Sequence, residues 1–315
     1  MTQKWISLLV GVSLLIACRL TSAPKADSAT SATPSPSAPA TQILLDQLLQ
    51  PTDQPSTIAS EATVRYSDLP TSDANLLSLD IYPSGEVNSP VMIYVHGGGW
   101  QTGDKVNVYL KPVAFNAQGF VFVSINYRLV PEVTIRDEAG DVARAIAWVK
   151  NNISAYGGDP SQIWLMGHSA GAHLVSLVGT DETLLQAAGA NLSDLRGVIS
   201  LDTQAYDLVK LLKSTDGTLR NKYAILFGKS LESWIRLSPA SHVTAGKGIP
   251  PFLIVYSAGA IARGDLSEAF KNNLRAAGVS VQILAATDKN HAQVNREIGL
   301  EGSYVSAAVF DFVMP

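Results

Sequence analysis

The sequence predicts an α/β domain, with a mostly parallel central sheet, helices on both faces and a small helical cap inserted into it. Three observations predict this. From residue 62 onward, short apolar runs of strand length alternate with segments of helical period, as expected when crossover helices bury both faces of a parallel sheet. A Gly-x-Ser-x-Gly pentapeptide, Gly167-His168-Ser169-Ala170-Gly171, stands between one of those runs and an apolar helix. The stretch 203–248 then interrupts the rhythm with polar, helical sequence that would lie over the strand ends.

The first 17 residues are expected to stand apart from the fold. Lys4 precedes an apolar run of 13 residues, Trp5 to Ala17, which is short for a bilayer span and right for the apolar region of a signal peptide. It ends in Leu15-Ile16-Ala17-Cys18, which resembles the lipobox of bacterial lipoproteins. That resemblance implies export, with Cys18 as the lipidated first residue of a membrane-anchored chain on the periplasmic or cell-surface side. Of the 21 residues from Thr21 to Thr41, 19 are Ser, Thr, Ala or Pro, too little apolar surface to repay chain entropy, so 18–61 reads as a flexible tether. Gln42 to Gln50 has the pattern of a short amphipathic helix within it. Residues 62–315 form the folded domain.

Within that domain, Thr63 to Tyr66 and Leu76 to Tyr82 alternate with period two, as an antiparallel opening hairpin does. Val91 to Val95, Phe120 to Asn126, Ile163 to Met166, Leu195 to Leu201, Pro251 to Tyr256 and Val279 to Leu284 read as buried strands. Asp137 to Ser154, Ala170 to Val178 and Leu266 to Ala277 have helical period.

Composition narrows the chemistry. Hydrophobic residues make up 46% and charged residues 16%, a balance that builds a core. The formal charge is 23 minus 27, or -4, so there is no basic excess to neutralise a phosphate backbone, and nucleic acid is excluded as an expected partner. One cysteine makes neither an internal disulfide nor a thiolate metal cluster. No His, Cys or carboxylate group has ligand spacing, so neither metal nor cofactor is expected. Hydroxyl, imidazole, carboxylate and backbone groups remain.

Gly-His-Ser-Ala-Gly at 167–171 supplies the hydroxyl. A strand that turns directly into a helix needs glycine on either side of the turn, and the residue at its apex is held strained with its side chain exposed at the carboxyl edge of the sheet. Ser169 is that residue. Earlier, the strand Val91 to Val95 runs into His96-Gly97-Gly98-Gly99-Trp100, where three glycines let the backbone approach a substrate. The amides of Gly98, Gly99 and Ala170 are the candidate donors to an oxyanion. His96 is then an anchor for its loop.

With these motifs in place the chain resembles the α/β-hydrolase superfamily, specifically carboxylesterases with an HGGG loop, near hormone-sensitive lipase and the kynurenine formamidases. HGGGW (96–100), SINYRL (124–129), YGGDP (156–160), GHSAGAH (167–173) and NH (290–291) carry the resemblance, from about Leu77 to the C-terminus. It implies a serine hydrolase with a Ser, His and acid triad and no metal, acting on a small-molecule ester. A formamidase or other amidase is the alternative activity, and a non-catalytic binding protein on the same fold is the alternative class.

The superfamily order of nucleophile, acid and histidine selects His291 from five histidines. His96 and His168 precede the serine, His173 belongs to the helix interior, and His242 falls before the strand Pro251 to Tyr256. The acid departs from the pattern. Relatives carry it just after the strand that corresponds to Pro251 to Tyr256, where this chain has Ser257-Ala258-Gly259-Ala260. Asp202, which ends the preceding strand, is favoured, and Asp265 is the alternative. Asp265-Leu266-Ser267-Glu268 also reads as a helix N-cap with a reaching Glu. Asp207 is expected to anchor the cap and Asp288 to sit solvated in a loop. Tyr223, Phe227 and Trp234 of the cap are candidates to line a substrate pocket, with packing as their other use.

Overall fold

A computed structural model describes residues 60–214, 217–258 and 263–314. The residues read as a signal segment, as the lipidated Cys18, as a short helix at Gln42 to Gln50 and as the tether up to 59 lie outside the described residues, as do Gly259 and Ala260. Eight strands form one sheet: β1 (Ala62–Arg65), β2 (Ser78–Tyr82), β3 (Ser89–Val95), β4 (Val121–Ile125), β5 (Gly158–His168), β6 (Leu195–Leu201), β7 (Phe252–Ser257) and β8 (Val281–Ala286). Their spatial order is β1-β2-β4-β3-β5-β6-β7-β8. β1 pairs antiparallel with β2, and β2 antiparallel with β4. Every later pair is parallel. The carboxyl ends of β3, β5, β6, β7 and β8 therefore share one edge, where ligands bind in open α/β sheets.

Hydrophobic patterning explains the layers. Ile93, Val95, Val123 and Leu165 face one core cluster together with Ala143, Ile146 and Leu174. Met92, Tyr94, Phe122 and Met166, the alternate residues of the same strands, face a second with Phe115, Val294 and Val309. Both faces of the sheet are thus covered, which is why its strands read as continuous apolar runs.

The helices are α1 (Lys111–Ala117), α2 (Ile135–Asn152), α3 (Ala170–Val178), α4 (Glu182–Ala187), α5 (Leu208–Ser214), α6 (Gly217–Phe227), α7 (Leu231–Arg236), α8 (Arg263–Ala276), α9 (His291–Arg296) and α10 (Tyr304–Val313). α2 begins at a complete capping box, Thr134 with Asp137, two residues before its expected start. α5, α6 and α7 make up the cap expected over 203–248, and Asp207 accepts from the Lys210 amide at the start of α5.

Several boundaries differ from the sequence reading. Ala74–Leu77 is a 3-10 turn capped by Asp73, so β2 begins at Ser78. β5 extends back to Gly158, where its first residues pair with Ser89. α8 begins at Arg263, which puts Asp265 in its first turn, so Asp265 is not the N-cap. α1, α4, α9 and α10 carry no sequence assignment; the first three have seven residues or fewer and draw their stability from packing rather than from propensity.

α3 crosses the end of β3 very closely. A Cβ built on Gly171 would lie 2.2 Å from the Val95 carbonyl oxygen and 2.5 Å from that of His96. Gly171→Ala is expected to cost about 3 kcal/mol or more of stability, because backbone on both sides must shift. Urea unfolding reads this, and an unchanged midpoint would mean that the crossing tolerates a methyl group.

Candidate active site

The turn between β5 and α3 holds Ser169 at φ 57, ψ -115, a conformation that costs a non-glycine residue free energy. Its neighbours make the turn possible. A Cβ on Gly167 would lie 2.4 Å from the Gly171 carbonyl oxygen. The Ser169 amide donates to the Leu201 carbonyl at 2.9 Å, which ties the turn to the end of β6.

One residue beyond β6, Asp202 has a left-handed backbone too, at φ 62. Its side chain is fully buried and intensively hydrogen-bonded. Oδ1 accepts from the Ser257 amide at 2.7 Å. Oδ2 accepts from Ser257 Oγ at 2.7 Å, from Arg263 Nη1 at 3.1 Å and from His291 Nδ1 at 2.6 Å. Burial by itself would raise the Asp202 pKa, but the hydrogen bonds from His291 and Ser257 and the Arg263 charge outweigh it and hold the carboxyl below its usual range.

His291 is the first residue of α9. Asn290 caps that helix, accepting from the amides of Ala292 at 3.0 Å and Gln293 at 2.9 Å, while Gln293 Oε1 accepts from the Asn290 amide. The asparagine of the NH pair thus fixes where the histidine stands. With Nδ1–H donating to Asp202, Nε2 is left as an acceptor, and Ser169 Oγ lies 2.9 Å from it. His168, beside the serine, donates from Nε2 to the His291 carbonyl at 2.9 Å. Burial and the neighbouring His291 lower its pKa to about 3, so it is a neutral donor.

The glycine loop is built to present amides. Gly98 has φ 133, and a Cβ there would lie 1.8 Å from the Thr102 carbonyl oxygen. The Gly98 carbonyl accepts from the amides of Gln101 and Thr102, so the loop curls with that oxygen turned inward. Among the described residues the amides of Gly98 and Gly99 make no hydrogen bond. Ala170 opens α3, where the N–H has no acceptor within the helix. His96 anchors the loop, stacked on Tyr127 at 4.5 Å with Nδ1 2.8 Å from the Gly97 carbonyl oxygen. Trp100 closes it, donating from Nε1 to His173 Nδ1 at 3.2 Å. His173 donates in turn from Nε2 to the Leu237 carbonyl at 2.8 Å, and its burial lowers its pKa to about 4.

Two cavities meet at Ser169 and His291. One, of about 360 Å³, lies under the cap between the glycine loop, Gln204, Tyr223, Leu226 and Arg263. The other, of about 510 Å³, lies on the opposite side, against Asn107, Tyr109, His168 and Asn295.

The structure therefore brings Ser169, His291 and Asp202 together, and Gly98 and Gly99 line both cavities beside them. Asp265 is exposed on α8 and makes no contact with His291 among the described residues. Of the cap aromatics, Tyr223 lines the cavity and accepts from Gln204 Nε2 at 2.7 Å. Phe227 packs against Trp100 at 4.8 Å, and Trp234 is held by the Gly228 carbonyl. His242 bonds the Arg236 carbonyl, and Asp288 is exposed and accepts from Tyr304. Ser257, Arg263 and His168 carry no sequence assignment in the site. Ser257 falls just after the strand Pro251 to Tyr256, where the family resemblance leads the acid to be expected; Arg263 reaches Asp202 from a different element, which no local pattern reports.

A hydroxyl, an imidazole and a buried carboxylate in line, beside free glycine amides, can activate a nucleophile and hold an oxyanion. On a sheet of this order, the arrangement defines an α/β-hydrolase. Residues 79–274 match the BD-FAE family, more than half of the chain, and the chain belongs to that family. It is similar to a probable isoprenylcysteine alpha-carbonyl methylesterase of Arabidopsis thaliana, 29% identical over 72% of this chain and 57% of the relative. Esterase LipQ of Mycobacterium tuberculosis is 31% identical over 71% of this chain and 55% of that protein. The chain thus spans a little over half the length of these curated relatives. Among solved structures, a thermophilic esterase of Thermogutta terrifontis shares the fold with TM-score 0.65 at 22% identity, over 80% of this chain and 91% of that one. Esterase B of Lactobacillus rhamnosis does so with TM-score 0.65 at 21% identity, over 87% and 93%.

The buried neutral histidines make stability depend on pH. His168 and His173 titrate at about 3 and about 4 in the fold and near 6.5 when unfolded, so the unfolded chain binds more protons below about pH 6.5. The contribution of these two rings is full above that pH and is expected to be lost as pH drops toward 4, by about 1.4 kcal/mol per pH unit for each histidine. Urea midpoints between pH 7 and 5 read the slope, and His173→Gln should change it by the share of one ring, up to about 1.4 kcal/mol per pH unit. A flat profile would show that these rings are not held neutral.

Proposed function

We propose that this chain is a carboxylic ester hydrolase with Ser169 as nucleophile, His291 as general base and acid, and Asp202 as the triad acid. The hydrogen-bonded line from Asp202 through His291 to Ser169 carries the reading, and the esterase relatives support it. In this mechanism Ser169 Oγ attacks the ester carbonyl carbon while its proton passes to His291 Nε2. The resulting oxyanion is held by the amides of Gly98, Gly99 and Ala170. His291 gives the proton to the departing alkoxide, leaving an acyl-enzyme and an alcohol. Water then attacks the acyl group, His291 takes its proton and returns it to Ser169, and the acid product leaves. Asp202 stays ionised throughout, fixes the imidazole with its proton on Nδ1 and stabilises the imidazolium.

Short acyl or aryl esters fit this reading. The cavity under the cap is small, at about 360 Å³, and Trp100, Tyr223 and Leu226 bound it beside the polar Gln204 and Arg263. The apolar run Trp5 to Ala17 and the Leu15 to Cys18 motif support export with lipidation at Cys18.

A fluorophosphonate should label wild type, and Ser169→Ala should neither be labelled nor hydrolyse p-nitrophenyl acetate. Asp202→Asn is expected to lower kcat by a factor on the order of 10⁴ with the fold intact, since the imidazole loses its tautomer. Asp265→Asn should retain wild-type kcat. An active Asp202→Asn paired with an inactive Asp265→Asn would move the acid. For the anchor, radiolabelled palmitate should enter wild type and not Cys18→Ser; uptake by both would rule out lipidation at that residue.

A further inference from the structure

Lys111 is a buried cation that the mechanism above does not use. It is the first residue of α1, and its side chain is fully buried. Among the described residues no carboxylate pairs with it. Its Nζ lies 4.8 Å from the centre of the Tyr94 ring and 5.2 Å from that of Tyr109, and it donates to the Asn295 carbonyl at 2.9 Å. Burial lowers its pKa to about 7. Desolvating an ammonium without a counter-ion costs stability, and two ring faces and one carbonyl recover only part of that. An apolar residue of the same length would serve the fold as well or better. The reason for the lysine lies in what it touches.

That partner is the helix that carries His291. α9 has six residues, too few to hold a position by its own hydrogen bonds. Its first residue is held at the carbonyl by His168. Near its other end, Asn295 is held twice: at its backbone carbonyl by Lys111, and at its side-chain Oδ1 by the Tyr94 hydroxyl at 2.9 Å. Tyr94 belongs to β3 and Lys111 to α1, so one tie runs to the sheet and the other to a helix packed on it. A slide or rotation of so short a helix moves the His291 ring directly. A displacement of about 1 Å in a catalytic group is enough to slow the chemistry by about a hundredfold.

We propose that Lys111 is a positioning residue that, through the Asn295 carbonyl, holds α9 where His291 Nε2 meets Ser169. This rests on the reading of His291 as the base, and it makes Lys111 a residue that lowers stability while serving the reaction. The test is Lys111→Met in the full chain, read by kcat and KM on p-nitrophenyl acetate, by the rate at which a fluorophosphonate labels Ser169, and by thermal midpoint. The expected result is kcat lower by tenfold or more, KM within twofold, labelling slowed in parallel and a midpoint equal to or above wild type. A labelling rate and kcat within twofold of wild type overturn the proposal, as does a loss of rate that only follows loss of folded protein. If Lys111→Met does not accumulate folded, Tyr94→Phe cuts the second tie to Asn295 and keeps the ring. Slowed labelling at an unchanged midpoint then supports the clamp, and wild-type labelling overturns it. Labelling needs a working Ser169 and His291 but no ester, so a wild type that labels rapidly yet hydrolyses no ester would defeat the esterase reading and still leave Lys111 tested.

Discussion

An ionised carboxylate withdrawn from water must be compensated on every lone pair it presents, and Asp202 is almost wholly buried. The compensation comes from three directions. Ser257 donates from the end of β7, Arg263 from the first residue of α8, and His291 from the first residue of α9. Meeting these demands fixes β7, α8 and α9 relative to the end of β6. Removing any one donor would leave a buried charge under-satisfied, which costs more than the lost bond itself. The imidazole is thus one member of a set of donors that has to exist for the carboxylate to be buried at all.

Backbone strain is gathered at the same edge. Among the described residues, five other than glycine have positive φ: Asn88, Trp100, Tyr109, Ser169 and Asp202. All but Asn88 line one or both of the cavities that meet at Ser169. Each such conformation costs about 1–3 kcal/mol and persists only where surrounding contacts over-determine it. Those contacts are visible: the Ser169 amide bonds β6, the Asp202 amide bonds the Val255 carbonyl in β7, and the Trp100 carbonyl accepts from Val130. A parallel sheet whose strands end together supplies the rigid frame, and the cleft takes up the strain.

Glycine loop and cap are joined through His173. Its ring accepts from Trp100 on one side and donates to Leu237, at the base of the cap, on the other. Phe227 packs against both rings. The cap is therefore held to the loop that presents the amides, and the cavity between them takes its shape from this contact. Among the described residues none of α5, α6 or α7 lines the opposite cavity, and α9 with the ties that hold it forms one of its walls.

The parts of the architecture that depend on local pattern were legible in the chain. Apolar runs buried on both faces marked the strands, and glycines at 167 and 171 marked a turn too tight for side chains. The histidine after the last strand could be named from the order of motifs that the family resemblance implies, and an aspartate at the end of β6 because strand ends in a parallel sheet share one edge. What the chain alone left open was decided by contacts between distant elements. The sequence around Asp265 reads as a helix cap or, less well, as an acid, and the start of α8 at Arg263, with Asp265 turned to solvent, leaves it in neither place. Ser257 and Arg263 became partners of Asp202 because β6 and β7 are neighbours in space. α9 is too short to announce itself, and ties to β3, α1 and the Ser169 turn hold it in place. Periodicity and glycine spacing report what a residue does to its own backbone. Compensation of a buried charge is a property of everything that surrounds it, and it exists only once the chain has folded.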